Sequence, residues 1–345
     1  MYNNLLYKCF HQGCAEKKSY KGALIMSKKQ KKFADDGWAI WVDGDDLSTV
    51  YINNWLNPKG KSYVDFAIRI RGVKSSKILH VYIPFAISKE EIEDVSLLFN
   101  DTKILQATFS AACIIDYKKN EHTSEIAYNG KTVDIVHIST LEYDIKPLSD
   151  GTLIEVDLEK INFSLDNDEA YFIWRMPHKS LDEIFKPRVD MSNTMERLRD
   201  LITTPVVTEK YGYSIRINEA RLLPEEITRI GIFHRQKLKK AVITLTIDEN
   251  YELNDGGCYR IRRLEENLYK GYLPNGYKFE DAITYQWNQN REHNGQGQFN
   301  FYYNLSKDSV SKSSMFLYMV LLLAVGIFGD LLAELVKALI RMCLL

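Results

Sequence analysis

Two basic clusters carry the clearest capacity for ligand chemistry in this chain. The first is the run His234-Arg235-Gln236-Lys237-Leu238-Lys239-Lys240. The second is Arg260-Ile261-Arg262-Arg263, directly after Gly256-Gly257-Cys258-Tyr259. On a strand Arg260 and Arg262 share one face, and Tyr259 and Ile261 share the other. Tyr269, Tyr272 and Tyr277 follow closely. Guanidinium and ammonium groups beside aromatic planes suit phosphates and stacked bases. Arg235, Lys237, Lys239, Lys240, Arg260, Arg262 and Arg263 are therefore the candidate ligand-binding residues. The competing reading is charge on an edge strand, which blocks edge-to-edge aggregation.

Other chemistry-bearing residues are scattered. Cys9, His11 and Cys14 would supply three zinc ligands where a structural site takes four. Asp43, Asp45 and Asp46 form an acidic turn without the later bidentate Glu of a calcium loop. Apart from His11, none of the seven histidines pairs with a second His or Cys at helical ligand spacing. The chain has no Walker-type phosphate loop, no dinucleotide fingerprint and no Gly-x-Ser-x-Gly elbow. No catalytic residue, metal or cofactor is assigned, and the chain is expected not to be an enzyme.

The tail holds a third patterned group. Met315 to Gly329 carries no charge, and apolar residues continue to Leu345. As one helix, 315–345 would be about 46 Å long, enough to cross the hydrocarbon core of about 30 Å. Within it Asp330, Glu334, Lys337 and Arg341 are spaced by 4, 3 and 4 residues. At about 100° per residue they share a stripe about 60° wide. Gly326, Gly329 and Ala333 lie on the same side and allow close helix approach. Charges within a membrane face protein or water, so this stripe is expected to line a pore in an assembly of three or more copies. The alternative is a span ending near Asp330, with Lys337 and Arg341 reaching headgroups.

The elements that position these groups are mostly strands. Phe66, Ile68 and Ile70 alternate with Asp65, Ala67, Arg69 and Arg71, and Leu79, Val81, Ile83 and Phe85 alternate with His80, Tyr82 and Pro84. Ile154, Val156 and Leu158 repeat the pattern, and further strands are expected over 170–176, 213–217, 242–247 and 299–303. Such alternation predicts antiparallel sheets with one wet face, and Pro84 predicts an edge strand or strand end. Ser88 to Glu91 reads as a capping box opening a helix whose face is Ile92, Val95, Leu98 and Phe99. A second helix is expected from Asn193, through Met195, Leu198 and Ile202.

The 345 residues suit about two domains. Forty-five basic against 46 acidic residues exclude a globally basic nucleic-acid coat. An odd, widely spaced set of five cysteines fits a reducing compartment. The expected organisation is a basic N-terminal extension over 1–32, a first β-rich domain over 33–188 and a second over 189–304. A polar hinge linker over 305–314 and a transmembrane helix over 315–345 follow. The fold class is mainly β: an antiparallel β-sandwich-like body, with two β units allowed, few short helices and one C-terminal membrane helix.

A β-rich body carrying this C-terminal helix resembles the transmembrane effectors of bacterial anti-phage defence, of the cyclic-nucleotide-signalled or Hailong type. The resemblance rests on the tail 315–345 and the β-rich body. It implies a bacterial inner-membrane protein with a cytoplasmic sensor and a nucleotide or oligonucleotide ligand made by a partner enzyme. The expected function is a membrane-anchored effector whose body senses a ligand or partner and gates a pore, or a membrane-disrupting assembly, of its helices. The lipid bilayer and further copies of the chain are the expected partners. The alternatives are a passive tail-anchored scaffold and a membrane-bound enzyme with a dispersed site.

Overall fold

The structure is a computed structural model. It describes residues 32–43, 47–109, 113–116, 121–128, 131–164, 168–185, 206–230, 238–254, 257–265, 269–277, 282–290, 298–310 and 312–343. Residues 1–31 of the N-terminal extension, the helix expected from Asn193, and Asp45 and Asp46 lie outside these residues.

In chain order the first strands are β1 (Lys32–Val42), β2 (Leu47–Trp55), β3 (Tyr63–Arg71), β4 (Ile78–Ile83), β5 (Cys113–Asp116), β6 (Thr123–Tyr128), β7 (Lys131–Val136) and β8 (Tyr143–Leu148). The later ones are β9 (Gly151–Asp157), β10 (Glu169–Pro177), β11 (Val206–Ile217), β12 (Lys240–Asp248), β13 (Glu252–Leu253), β14 (Arg260–Arg263), β15 (Ala282–Asn290) and β16 (Phe299–Val310). Four α-helices are described: α1 (Thr102–Phe109), α2 (Lys179–Phe185), α3 (Glu225–Ile230) and α4 (Lys312–Cys343).

The strands form two sheets. One has seven strands in the order β13-β16-β11-β1-β4-β9-β8, and the other has nine in the order β14-β15-β12-β2-β3-β10-β7-β6-β5. The body is mainly β, as expected, but the sheets are mixed: β1–β11, β2–β12 and β7–β10 pair in parallel. Those pairings also correct the expected joint near residue 188. β1 and β2 from the first stretch are hydrogen-bonded to β11 and β12 from the second, so both sheets draw on both halves of the chain. Such parallel partners lie far apart in sequence, and local patterning carries no sign of them.

Between the sheets sits a continuous apolar core. Phe66, Ile68 and Ile70 on β3, Leu79, Val81 and Ile83 on β4, and Ile154 and Val156 on β9 are all buried there. Trp38 stacks on Phe66 at 6.1 Å and Phe66 meets Trp174 at 4.7 Å. Each buried aromatic removes a large apolar area from water, at about 25 cal/mol per Å². Pro84 falls just past the end of β4, an interior strand, so it marks a strand end.

β1 changes partner midway, pairing with β11 over Lys32–Trp38 and with β4 over Ala39–Val42. Asn218 bridges the change. Its φ of 58° turns the chain out of β11. Its side-chain amide then mimics a peptide, accepting from the Ile40 N–H at 2.8 Å and donating to the Ile40 carbonyl at 3.1 Å. Asn tolerates the left-handed region better than most side chains, because its short amide can hydrogen-bond locally.

The expectation of one wet face fails for the middle of the large sheet. Asp65 and Ala67, on the face opposite the core, are fully buried. Two segments cover that face: Val95, Phe99, Ile104 and Leu105 from one side, and Leu264, Tyr269 and Tyr272 from the other. The capping box at Ser88 forms, with its N–H donating to Glu91 at 3.0 Å, but only 3-10 turns follow, at Lys89–Glu91 and again at Ser96–Asn100. Glu93 leaves the helix to exchange two backbone hydrogen bonds of 2.8 Å with Arg175 on β10. Sheet pairing at Glu93 therefore interrupts the local helical pattern, which resumes only as the 3-10 turn carrying Leu98 and Phe99.

The tail forms one helix. α4 has 32 residues, and Tyr318–Met342 within it is long and apolar enough to cross a membrane, with mean hydropathy 2.2 and none of it buried in the protein. The expected hinge linker over 305–314 is corrected. β16 stays paired with β11 as far as Val310, and α4 starts at Lys312. Leu305 and Ser306 are buried sheet residues, which explains why a polar, Ser-rich composition does not make a loose tether here.

Candidate functional site

On its covered face the large sheet lays out side chains in cross-strand rows, because residues opposite one another in register share a face. One row runs Arg175 (β10), Asp65 (β3), Asn53 (β2), Thr244 (β12), Gln286 (β15) and Arg260 (β14). The next runs through Trp55, Thr246, Thr284 and Arg262. On the other side stand Tyr51 and Val242, and beyond them Tyr171, Arg69 and Lys240. Rows are about 6.8 Å apart along the strands.

A cleft of about 330 Å³ opens over these rows, between the sheet and its two coverings. Its floor is Asn53, Val242, Thr244, Thr246, Thr284 and Gln286, and its aromatic walls are Tyr51, Trp55, Tyr171, Tyr269 and Tyr272. Arg69, Lys240 and Arg262 bring positive charge to it. Thr108, from α1, also lines it.

One end of the cleft is held by a buried ion pair. Arg175 donates to Asp65 through Nε at 2.6 Å and Nη2 at 3.0 Å, and Trp55 Nε1 donates to the same carboxylate at 2.7 Å. Arg175 also donates to the Tyr272 carbonyl at 2.8 Å and lies 5.0 Å from the Tyr272 ring centre. The guanidinium thus ties the 264–277 covering to the sheet. Burial acts against the Arg175 charge, but Asp65 more than offsets it and raises its pKa further. Burial in turn pushes the Tyr272 phenol well above its ordinary value.

The sequence-derived cations fall in different places. Lys240 and Arg262 line the cleft, and Arg262 donates to the Tyr269 hydroxyl at 2.8 Å. Burial raises Tyr269 even though Arg262 beside it favours the phenolate. Arg260 is exposed, on the cleft face of β14 by register but outside the lining. Arg263 is exposed and pairs with Glu249 at 3.0 Å. Lys239 is exposed and outside the lining, while Arg235 and Lys237 lie outside the described residues. Tyr269 and Tyr272 join the cleft, and Tyr277 packs edge-on against Trp55 at 5.6 Å. Asn53, Thr244, Thr246, Thr284 and Gln286 were missed. Their signal is the polar half of the alternation in β2, β12 and β15, but only the register brings them together.

The tail residues stand apart from the cleft. Asp330, Glu334, Lys337 and Arg341 are exposed along α4. Lys337 pairs with Glu334 of the same helix at 3.2 Å. Apart from the adjoining residues and the helix's own backbone, no atom lies within 4 Å of where a Cβ would stand on Gly326 or Gly329, so that side of the helix is open in the single chain. Ala333 is exposed beside it.

Among the described residues no group of three or more His, Cys, Asp or Glu side chains is placed to hold a metal ion. No protein-family model and no curated protein matches the chain.

Proposed function

We propose that the protein is a membrane-anchored effector, in which a β body senses a ligand and controls an assembly of C-terminal helices. The observation that carries this reading is the junction between β16 and α4. β16 is paired with β11 over its whole length, Phe299–Val310, and a single residue separates it from the membrane-length helix. A passive anchor needs only a flexible tether. A paired strand running into the helix instead transmits displacement or rotation of the sheet.

A contact path from the cleft to that strand supports the reading. Gln286 faces the cleft, and its neighbour Trp287 faces the core and stacks on Tyr303 of β16 at 5.6 Å and 19°. Gln289 donates to the Asn300 carbonyl at 2.8 Å, which links β15 to β16 a second time. In the helix, Glu334 and Lys337 neutralise each other, and Asp330 and Arg341 have no ion partner among the described residues. Asp330 at the bilayer centre would cost about 2.5–3.5 kcal/mol on insertion scales. Assembly of three or more copies with the stripe inward would let water and neighbouring charges relieve that cost. In this reading the body lies on the cytoplasmic side of a bacterial inner membrane; the free thiol of Cys258 and the odd cysteine count fit a reducing compartment.

Cross-linking of membranes that hold the full chain tests the assembly. Species of three or more copies are expected, weakened by Gly326→Leu or Gly329→Leu. A chain that cross-links only as a monomer would leave the passive anchor standing.

A further inference from the structure

The cleft on the large sheet is lined by donors, and its unsatisfied groups point to one kind of ligand. Thr244 Oγ1 donates to Asn53 Oδ1 at 2.7 Å, which fixes the amide and leaves its Nδ2 as the free end. Thr246 and Thr284 hydroxyls bond each other at 2.9 Å, so the floor beside them is already satisfied. Asn53 Nδ2, the Gln286 amide and the Lys240 ammonium have no partner among the described residues, although all three residues line the cleft and are partly buried. Arg262 spends one N–H on Tyr269 and holds four more. Among the described residues no carboxylate lines the cleft. Glu169, which meets Arg69, also holds Arg71 at 2.7 Å. These donors are partly exposed, so water satisfies them in the free protein and an oxyanion would take that water's place.

The walls add a second requirement. Tyr51 and Tyr171 meet at 6.1 Å and 61° on one side, and Tyr269 stands with Arg262 on the other. Flat rings with apolar Val242 and Leu264 near them suit a planar ring, and the cations suit its charged substituent. The volume of about 330 Å³ lies in the range of small-molecule pockets.

We infer that this cleft binds a small aromatic oxyanion, a planar ring bearing a phosphate or carboxylate, with Lys240 and Arg262 holding the oxygens and Asn53 and Gln286 completing their shell. The inference deepens the sensor reading by naming its ligand class. Binding is measured without any membrane readout, so failure of the pore and failure of the cleft are separable.

The test uses the full chain in detergent and saturation-transfer NMR, which detects weak ligands. Phenyl phosphate and benzoate are the probes for the two oxyanions, and benzyl alcohol is the uncharged control. Saturable transfer is expected for at least one anion and not for benzyl alcohol, with competition by inorganic phosphate if phosphate is the group recognised. Lys240→Met and Arg262→Gln should each weaken the bound anion by about tenfold or more, the scale of one lost charge-assisted hydrogen bond. Unchanged thermal midpoints in these variants, both at partly exposed positions, separate lost binding from lost folding. Equal signals for anions and benzyl alcohol, or anion binding unchanged in both variants, would overturn the inference.

Discussion

Asp65 and Arg175 show how much one pair of residues can carry. Their side chains are 0% and 1% exposed, and together they join β3, β10 and the covering segment at Tyr272. Arg175→Met would leave a buried carboxylate with only the Trp55 donor. It should cost about 3–5 kcal/mol, read as a lower denaturation midpoint. Arg175→Met combined with Asp65→Asn should recover part of that loss. A second buried group sets the response to acid. The Tyr213 hydroxyl donates to Asp36 at 2.7 Å and lies 2.9 Å from His178 Nε2, which must then carry the ring proton while Asp36 is ionised. Burial raises Asp36 from 3.8 to about 6 and lowers His178 from 6.5 to about 3. The raised carboxyl gains stability as pH falls from about 6 towards 4. The depressed imidazole loses it as pH falls from about 6.5 towards 3. The two slopes oppose each other between pH 4 and 6, so Asp36→Asn should make acid destabilisation steeper there by about 1.4 kcal/mol per pH unit. A denaturation series across that range checks it, and an unchanged slope would contradict the assignment. At this scale the sequence was partly legible. Arg262 beside Tyr269 was readable from spacing, whereas the burial of Asp65 was not, because alternation alone marks it as a wet-face residue.

Elements whose pattern is set locally were the readable ones. β3, β4, β9 and β10 fall where period two places them, and the capping box at Ser88 forms. Elements decided by distant partners were not. The helix expected over 92–99 is broken by pairing between Glu93 and Arg175 and resumes only as a 3-10 turn at Ser96–Asn100, and the polar stretch is held by β11 as far as Val310. The cleft was legible only as fragments: the basic residues of β12 and β14, without the Thr, Asn and Gln floor that parallel pairing of β2 with β12 assembles. Two predictions belong here. Removing residues 311–345 should release a folded, soluble body, since α4 buries none of its membrane span in the protein. Persistence of that body in salt-washed membranes would show a second anchor. Four Gly and Ser residues inserted between Val310 and Lys312 should keep the chain folded and membrane-bound while changing its conductance, because the paired strand would no longer drive the helix. Unaltered conductance would mark the junction as a mere tether.

At the scale of the whole molecule, two sheets interleaved from both halves of the chain present a donor-lined cleft on one outer face and feed the last strand directly into a membrane-length helix. Parallel partners such as β1 and β11 tie both halves of the chain into the same sheets, and β15 meets β16 through the packed Trp287–Tyr303 contact rather than through a loop. In the proposed reading, the charged stripe of α4 is where a displacement passed through that contact would become ion flow. The most direct measurement is the reversal potential of planar bilayers holding the full chain under a salt gradient, compared with Asp330→Asn combined with Glu334→Gln. A discrete conductance whose cation-to-anion preference shifts towards anions in the variant is the expected result. A strictly monomeric protein with no conductance, or a preference that the two substitutions leave unchanged, would contradict it.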